Sequence, residues 1–355
     1  MGARPLARVD LEGPARGTRL VSSSRLRVGL DLDGSLESMS NSMFDLATAL
    51  DERGDLQLCR LRTISPRQSH DEVRLSLRAF WSPWWRHGRG RAIDTMLPPL
   101  DVIHVAGRAT PPTRDVPLLI SVDDLRPLRE EHLHQRVGQL RRAVSRGAVL
   151  VVSSRTARHE VMEVMGLERP EIVVVRPPVG HVAPTTNGDA LVVSVTGNTE
   201  RFVTLAAELQ AFVARHDTSL IVVASAAVVQ RLQSSGVQAT FVERRHGDEA
   251  LVRARCVLSI SDGARFPSFT IAALAAGVPA LARATEINRE LLSGAAALIH
   301  LEAESMEALE DLWTNESRRA ILVAAGRARA ADFSPWNVAS AYATLYADVA
   351  QRSRV

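Results

Sequence analysis

Lysine is absent from the 355-residue chain, so all 43 residues counted as Lys or Arg are arginines. The absence excludes Schiff-base catalysis and a phosphate-binding loop of the type that needs a lysine. Anions must instead be bound by guanidinium groups, backbone amides or helix N-termini. The arginines are interspersed with 40 acidic residues, which leaves a formal net charge of +3 and gives little indication of nucleic-acid binding.

Cysteines and long apolar runs are also scarce. The two cysteines, Cys59 and Cys256, lie far apart and form no CxxC pair, so neither a disulfide framework nor a structural zinc site is indicated. A reducing cytoplasm is the compartment that this usage favours. No window approaches the roughly 18 uninterrupted apolar residues of a membrane-spanning helix. At roughly 100 to 200 residues per domain, the length predicts two domains.

Two segments have an unusual composition. Residues 1–25 are predicted to be a flexible basic leader, because the chain up to Arg27 has six arginines against Asp10 and Glu12 and no apolar run of the length that a secretory signal needs. The stretch from Phe80 to Arg91 holds three of the five tryptophans beside arginines. Such a stretch suits stacking on a sugar or single strand, or a membrane rim, and equally a helix that packs its indoles onto the core.

From residue 26 onward, short apolar runs alternate with stretches whose apolar residues recur at helical spacing. Continuous β-branched runs such as Ile172–Val175 and Leu191–Val195 are typical of parallel strands covered on both faces. The polar segment 184–189 interrupts the pattern, which then starts again. The sequence therefore predicts an α/β protein with two doubly wound parallel-sheet domains and a ligand cleft between the carboxyl ends of the two sheets.

Several local strings occur in the order and spacing of one known family. The strings are Asp101–His104, Pro117–Leu125, Ala148–Ser153, Ile172–Pro178, Val193–Gly197, Ser259–Ala282 and Phe333–Trp336. Over nearly the whole chain after the leader, the sequence resembles the family-4 glycosyltransferases.

The resemblance implies the GT-B architecture of two Rossmann-like domains. Residues 26–183 would form an acceptor domain and residues 190–332 a nucleotide-sugar donor domain, while residues 333–355 would form a helix that crosses back to the first domain. The implied activity is transfer of a sugar from a nucleoside-diphosphate sugar to a hydroxyl acceptor, with retention of configuration and with no metal or other cofactor.

The implied partners are the nucleotide-sugar donor and a glycan, lipid-linked or small-molecule acceptor, without nucleic acid. The basic leader and the tryptophan-rich stretch could both sit at lipid headgroups. A peripheral position at the inner membrane face is therefore left open beside a cytoplasmic one.

The resemblance also implies roles for individual residues. The catalytic candidates are Asp123 and His104. The acceptor-binding candidates are Gly34, Ser35 and Asn41. The donor-binding candidates are Gly197, Asn198, Arg201, Glu243, Arg265, Phe266, Ser268, Phe269 and Thr270. No residue is assigned to a metal.

The sequence departs from the family pattern in the donor half. Ala272 stands where the family places the carboxylate that holds the donor ribose, and Ala264 where it places a sugar-contacting carboxylate. Pro267 replaces a glycine and removes a backbone N–H that could reach a phosphate oxygen. The transferase is the leading interpretation, and these departures add an alternative, a catalytically silent GT-B protein that acts as a scaffold, regulatory partner or glycan-binding protein.

Several single residues have a second interpretation. His104 could instead be a hydrogen-bonded core residue, and Asp123 could cap a helix. Arg201 could be a solvated residue at a helix start, and Glu243 could lie in a surface turn.

Overall fold

The computed structural model describes residues 25–32, 37–62, 72–74, 90–106, 110–122, 134–166, 172–180, 182–185, 188–197, 199–234, 236–261, 266–300 and 304–353. The chain divides into two compact units, Met1–Pro178 with Pro335–Val355, and Val179–Ser334. The predicted leader, apart from its last residue, and the tryptophans of the Phe80–Arg91 stretch lie outside the described residues.

The N-terminal unit is built on a seven-stranded sheet. Its strands are β1 (Leu26–Asp31), β2 (Leu56–Arg62), β3 (Glu72–Arg74), β4 (Val102–Val105), β5 (Leu118–Ser121), β6 (Val149–Val152) and β7 (Ile172–Val174). The strand order is β3-β2-β1-β4-β5-β6-β7, and every neighbouring pair is parallel. In the part of this unit that the structure describes, the helices are α1 (Glu37–Arg53), α2 (His134–Val144), α3 (Arg155–Met165) and the C-terminal α11 (Pro335–Arg352).

Alternate residues of the central strands pack on opposite faces of this sheet, because successive side chains of a strand point to opposite sides. Val102 belongs to a core shared with α1 and α11, whereas Ile103 and Val105 belong to a core shared with α2 and α3. Both faces are therefore covered, which explains why β4 reads as a continuous apolar run apart from His104.

The C-terminal unit contains a six-stranded parallel sheet. Its strands are β8 (Ala190–Thr196), β9 (Leu220–Ala224), β10 (Thr240–Glu243), β11 (Ala254–Ser261), β12 (Ala280–Arg283) and β13 (Ala297–Ile299). The order is β10-β9-β8-β11-β12-β13, with parallel pairing throughout. The helices are α4 (Glu200–Arg215), α5 (Ala226–Gln233), α6 (Gly247–Arg253), α7 (Ser268–Ala276), α8 (Glu286–Leu292), α9 (Ser305–Thr314) and α10 (Glu316–Ala330).

This sheet is also covered on both faces. One core joins it to α6, α7 and α8, and a second joins it to α4, α5 and α9. The two parallel, doubly covered sheets confirm the predicted α/β fold class. Among the described residues, no helix is both long and apolar enough to cross a membrane.

Arginines bind the carboxyl ends of several helices. Arg141 donates from Nε to the backbone oxygen of Met165 at the end of α3, and Arg329 donates from Nε to that of Leu291 at the end of α8. Arg319 donates to the backbone oxygen of Trp313 at the end of α9. The last carbonyls of a helix lack intrahelical partners and carry partial negative charge. Cationic side chains can bind these carbonyls, and in this chain, which has no lysine, arginines do so.

Candidate functional site

The strand order of the C-terminal unit places a topological switch point between β8 and β11. The chain passes from β8 to β9 on one side and from β11 to β12 on the other side, so the two connections run in opposite directions along the sheet. A crevice opens between them at the carboxyl ends of β8 and β11. The strands pair in register up to Thr196 and Ser261. Gly197 follows at once with a φ of 85°, a left-handed conformation that glycine adopts without strain.

Hydroxyl groups replace apolar side chains at this end of the sheet. Ser194 and Ser259 face each other in the β8–β11 ladder, and their exposed fractions are only 2% and 9%. Thr196 shares a face with Ser194 because the two are separated by two positions on a strand. The carboxyl ends of β8 and β11 are therefore polar, although the strands behind them are apolar.

Arg201 lies at this edge, on the first turn of α4. Its Nη1 donates to the backbone oxygen of Ser261, at 3.5 Å. Helix α4 begins three residues after Gly197, so the short connection holds the guanidinium close to the strand ends. This placement agrees with the position expected for a group that binds an anion, while its donor-binding role stays a prediction.

A second guanidinium, that of Arg244, reaches the same edge. Arg244 begins a 3-10 turn directly after β10, and its Nη2 donates to Thr196 Oγ1 at 2.7 Å and to Ser194 Oγ at 3.2 Å. Its guanidinium also lies 5.7 Å from the centre of the Phe269 ring. Arg244 is not among the site residues predicted from the sequence, although its place in the Glu243–His246 string directly after a strand is a signal that could have identified it.

Glu243, the residue before it, makes a different contact. Its carboxylate accepts from Nε of Arg245 at 2.9 Å, and the Arg245 side chain is 60% exposed. Glu243 is thus held in an ion pair at the end of the edge strand β10, and its donor-binding role stays a prediction.

Helix α7 begins at the same end of the sheet, immediately after β11 and its loop. Pro267 occupies the N-cap position without a side-chain hydrogen bond, and no acidic residue lies in the first turn. The first N–H groups of a helix have no intrahelical partner and carry partial positive charge. The start of α7 therefore adds to the positive electrostatic character of this edge.

The side chains at the start of α7 point into the protein. Phe269 and Thr270 are 7% and 1% exposed, and the Phe266 ring lies 5.7 Å from that of Phe333. The amide of Ser268 already donates to the backbone oxygen of Phe266. These residues can serve an anion through the helix terminus that they form, whereas the side chains of Phe269 and Thr270 contribute packing.

Several predicted site residues cannot be placed. Asn198, Arg265, Gly34, Ser35 and Asp123 lie outside the described residues, and of Asn41 only the backbone, within α1, is described. In the part of the chain that is described, no three His, Cys, Asp or Glu side chains are grouped so that they could hold a metal ion.

His104 is corrected by the structure from a catalytic candidate to a core residue. Its side chain is completely buried. Nδ1 lies 2.8 Å from the phenolic oxygen of Tyr346, and Nε2 lies 2.8 Å from Ser121 Oγ. Burial lowers the pKa of His104 to about 3. A neutral imidazole with both nitrogens engaged inside the core does not position an acceptor hydroxyl.

Solved structures that are similar to about nine tenths of the chain include the following three. The sucrose-phosphate synthase of Thermosynechococcus elongatus matches with a TM-score of 0.69 and 14% identity, over 92% of this chain and 99% of that one. WaaG, a glycosyltransferase involved in lipopolysaccharide biosynthesis, matches with a TM-score of 0.63 and 12% identity, over 90% and 99%. Anabaena HepE in complex with UDP-glucose matches with a TM-score of 0.63 and 14% identity, over 92% and 100%.

The chain has the GT-B fold. At these identities the likeness establishes the fold and nothing finer. No protein-family model and no curated protein matches the chain.

In this GT-B chain one of the departures in the donor half lies in the apolar core. Ala272 is 8% exposed and packs in the apolar core between α7 and the sheet. The position at which the resemblance places a ribose-binding carboxylate is therefore filled by a methyl group. Ala264, the second departure, lies outside the described residues.

Proposed function

We propose that the chain is a glycosyltransferase that moves a sugar from a nucleoside-diphosphate sugar to a hydroxyl acceptor. The observation that carries the proposal is the pair of guanidinium groups, from Arg201 and Arg244, at the paired ends of β11 and β8. Neighbouring strands lie about 4.8 Å apart, so the two cations share one small region at the switch point. The GT-B fold and the positive end of α7 support the same assignment.

Two guanidinium groups at a switch point suit the chemistry of a diphosphate leaving group. When the bond between the sugar and the diphosphate breaks, negative charge grows on the phosphate oxygens. Preorganised donors aimed at that charge lower the barrier. In the proposed mechanism Arg201 and the first turn of α7 bind the diphosphate and stabilise its charge as the sugar leaves. Retention of configuration and independence from metal are part of the proposal.

The acceptor is proposed to be a glycan, a lipid-linked sugar or a small molecule with a free hydroxyl. Its binding residues in the N-terminal unit, Gly34, Ser35 and Asn41, stay predictions. So do a catalytic role for Asp123, a cytoplasmic location and contact with the inner membrane face.

The buried Ala272 favours a second candidate function. A hydrogen bond to a charged group contributes roughly 1.5 to 3 kcal/mol, so loss of the ribose carboxylate should weaken donor binding by roughly 10-fold or more. A chain with so weakened a site could act as a catalytically silent GT-B scaffold, regulatory partner or glycan-binding protein.

Calorimetry with UDP, GDP, ADP and their common sugar conjugates separates these functions. The transferase should bind one nucleoside diphosphate selectively and release it from a sugar conjugate when acceptors are supplied. Arg201→Gln should weaken that binding by roughly 10-fold or more. The matched control is Arg215→Gln on the same helix, since the Arg215 side chain is 66% exposed and pairs with Glu310.

The possible results point to different conclusions. Selective binding without any turnover would favour the silent protein. A folded chain that binds no nucleoside diphosphate at millimolar concentration would contradict the transferase and turn the search towards a protein or glycan partner.

A further inference from the structure

Strand β11 contains one residue that has no partner on the neighbouring strand β8. Ala254 pairs with Ala190, and Cys256 pairs with Leu191. Because Ala190 and Leu191 are consecutive, Arg255 is an extra residue and forms a β-bulge. Ala254 and Cys256 are two positions apart, yet they pack in different cores of the C-terminal unit, which regular alternation along a strand does not allow. A bulge can re-aim a side chain, and here the extra residue is a cation.

Arg255 extends from the bulge to the end of helix α9. Its Nη2 donates to the backbone oxygen of Trp313 at 3.2 Å. Its guanidinium lies 5.1 Å from the centre of the Trp313 ring, a distance at which a cation is attracted to an aromatic face. The Trp313 side chain is itself buried. A carbonyl oxygen and an indole ring therefore hold Arg255 at the amino-terminal end of β11.

Arg319, near the start of α10, reaches the same oxygen atom. Its Nη1 donates to the backbone oxygens of Trp313, at 2.5 Å, and of Leu312, at 3.2 Å. Two guanidinium groups that donate to one oxygen are close neighbours, and their like charges repel. Burial lowers the pKa of Arg319 and the charge of Arg255 lowers it further, although Glu316 acts in the opposite direction.

The positive charge of this pair is not balanced within the part of the chain that the structure describes. There, neither Arg255 nor Arg319 forms an ion pair with a carboxylate, and Nε of Arg255 is buried without a hydrogen-bond acceptor. The adjacent Arg318, in contrast, pairs with Asp311. The end of a helix supplies roughly half a negative charge, which is much less than two guanidinium groups require. Both arginines are partly exposed, so a small ion can reach them.

We propose that Arg255 and Arg319 bind a phosphate group at the amino-terminal end of β11. A phosphate group carries about −1.5 to −2 charges at pH 7, which balances two guanidinium groups better than one carboxylate does. Its oxygens also suit the planar fork of each guanidinium. The group can be free phosphate or part of a small phosphomonoester.

This site is separate from the proposed donor site. Arg255 and Ser261 are six positions apart on β11, which corresponds to about 20 Å at 3.3 Å per residue. The donor site lies at the carboxyl end of the strand, and the phosphate site at the opposite edge of the sheet. The inference therefore does not depend on the proposed function.

Calorimetric titrations with inorganic phosphate and, separately, with glycerol 3-phosphate test the inference at constant ionic strength. Arg255→Gln and Arg319→Gln should each bind the preferred ligand roughly 10-fold or more weakly than wild type. The matched control is Arg318→Gln, which lies on the same helix as Arg319 and should bind like wild type. Tighter binding of inorganic phosphate would identify free phosphate as the occupant, and tighter binding of the ester would identify a phosphomonoester.

Arg201→Gln distinguishes this site from the proposed donor site, which could also bind phosphate. This variant should keep the binding that Arg255→Gln and Arg319→Gln lose. Loss in Arg201→Gln together with normal binding in the other two variants would overturn the inference and leave the proposed function standing. Absence of binding to folded wild type at millimolar concentration of both ligands would overturn it as well.

Thermal melting without ligand shows whether each variant is folded, because both arginines also stabilise the end of α9. If a glutamine variant does not fold, the lysine variant at the same position replaces it, since lysine keeps the charge and loses the planar fork. Weaker phosphate binding by Arg255→Lys or Arg319→Lys would support the inference. Affinity equal to that of wild type in both would overturn it.

Discussion

Nδ1 of His104 lies 2.8 Å from the phenolic oxygen of Tyr346, although 242 residues separate the two in sequence. The bond joins β4 to α11, and Nε2 of the same ring continues it to Ser121 on β5. The His104 ring also stacks on Tyr342, with ring centres 5.2 Å apart. The C-terminal helix is therefore attached to the sheet of the N-terminal unit by a buried polar network inside an apolar core.

Removal of the Tyr346 hydroxyl should destabilise the protein. Tyr346→Phe leaves a buried imidazole nitrogen without its partner, which costs roughly 1 to 3 kcal/mol of unfolding free energy. Urea unfolding measures the change. Thr344→Val is the matched control, because the hydroxyl of Thr344 is exposed and bonds only within its own helix, to the Ser340 backbone oxygen. Equal stability of Tyr346→Phe and wild type would contradict the importance of the network.

His104 should also make stability depend on pH. Burial lowers its pKa to about 3, whereas an unfolded histidine titrates near 6.5. Between these values the unfolded chain binds the extra proton, so stability is fully present above about pH 6.5 and falls as the pH decreases. The expected slope is about 1.4 kcal/mol per pH unit below pH 6.

The pH effect can be assigned by comparing urea unfolding of wild type and His104→Gln at pH 7.5, 6.5 and 5.5. The variant should be less stable at pH 7.5 and should lose less stability than wild type on acidification. The same slope in both proteins would mean that another group titrates.

Alkylation of the two cysteines should report separately on the unfolding of the two units. Cys59 lies on β2 of the N-terminal unit and is half-buried, and burial raises the pKa of its thiol. Cys256 lies on β11 of the C-terminal unit, and complete burial raises its pKa to about 12, although Arg255 and Arg319 act in the opposite direction. Because the thiolate is the reactive form, iodoacetamide at pH 8 should modify Cys59 much faster than Cys256 in the native protein.

Pulsed alkylation in increasing urea would then follow each unit by mass spectrometry. Tyr346→Phe should shift the labelling of Cys59 to lower urea, since the network lies in the N-terminal unit. The variant Cys59→Ala confirms which peptide carries the label. Rapid labelling of Cys256 in native protein would contradict its burial.

Gly247→Ala should disturb the proposed donor site. The new Cβ would push the Phe269 ring, which lies against Arg244, and overpacking of this kind costs roughly 1 to 3 kcal/mol. We expect a lower melting temperature and weaker binding of the preferred nucleoside diphosphate. Gly138→Ala is the matched control in helix α2, because its Cβ would meet only the end of Arg142, at 3.4 Å. Similar behaviour of the two variants would contradict the close contact at Gly247.

The sequence was sufficient to predict the fold class, because strands that are buried on both faces consist of consecutive apolar residues. Leu191–Val195 predicts β8 on this basis, and the structure places β8 at Ala190–Thr196. Such a run can be recognised locally, without knowing which distant residues pack against it. The alternation of these runs with amphipathic helices then restricts the topology to a doubly wound sheet.

The contacts of individual polar residues could not be predicted from the local sequence in the same way. Arg244 and Arg245 are identical in type and adjacent in sequence, yet Arg244 reaches Thr196 whereas Arg245 pairs with Glu243. His104 ends up in the core because Tyr346, from the far end of the chain, supplies its partner. Contacts of this kind depend on tertiary structure, and no local pattern encodes them.

Helix α11 has a consequence for how the protein is made. One face of the N-terminal sheet is covered jointly by α1 and by Val338, Tyr342, Tyr346 and Val349 of α11, which the ribosome synthesises after the entire C-terminal unit. A nascent chain therefore exposes part of its first apolar core until synthesis passes residue 350. All strands of the C-terminal unit are synthesised before α11. This unit can therefore complete its fold before the N-terminal unit does, which is the reverse of the usual order of folding during synthesis.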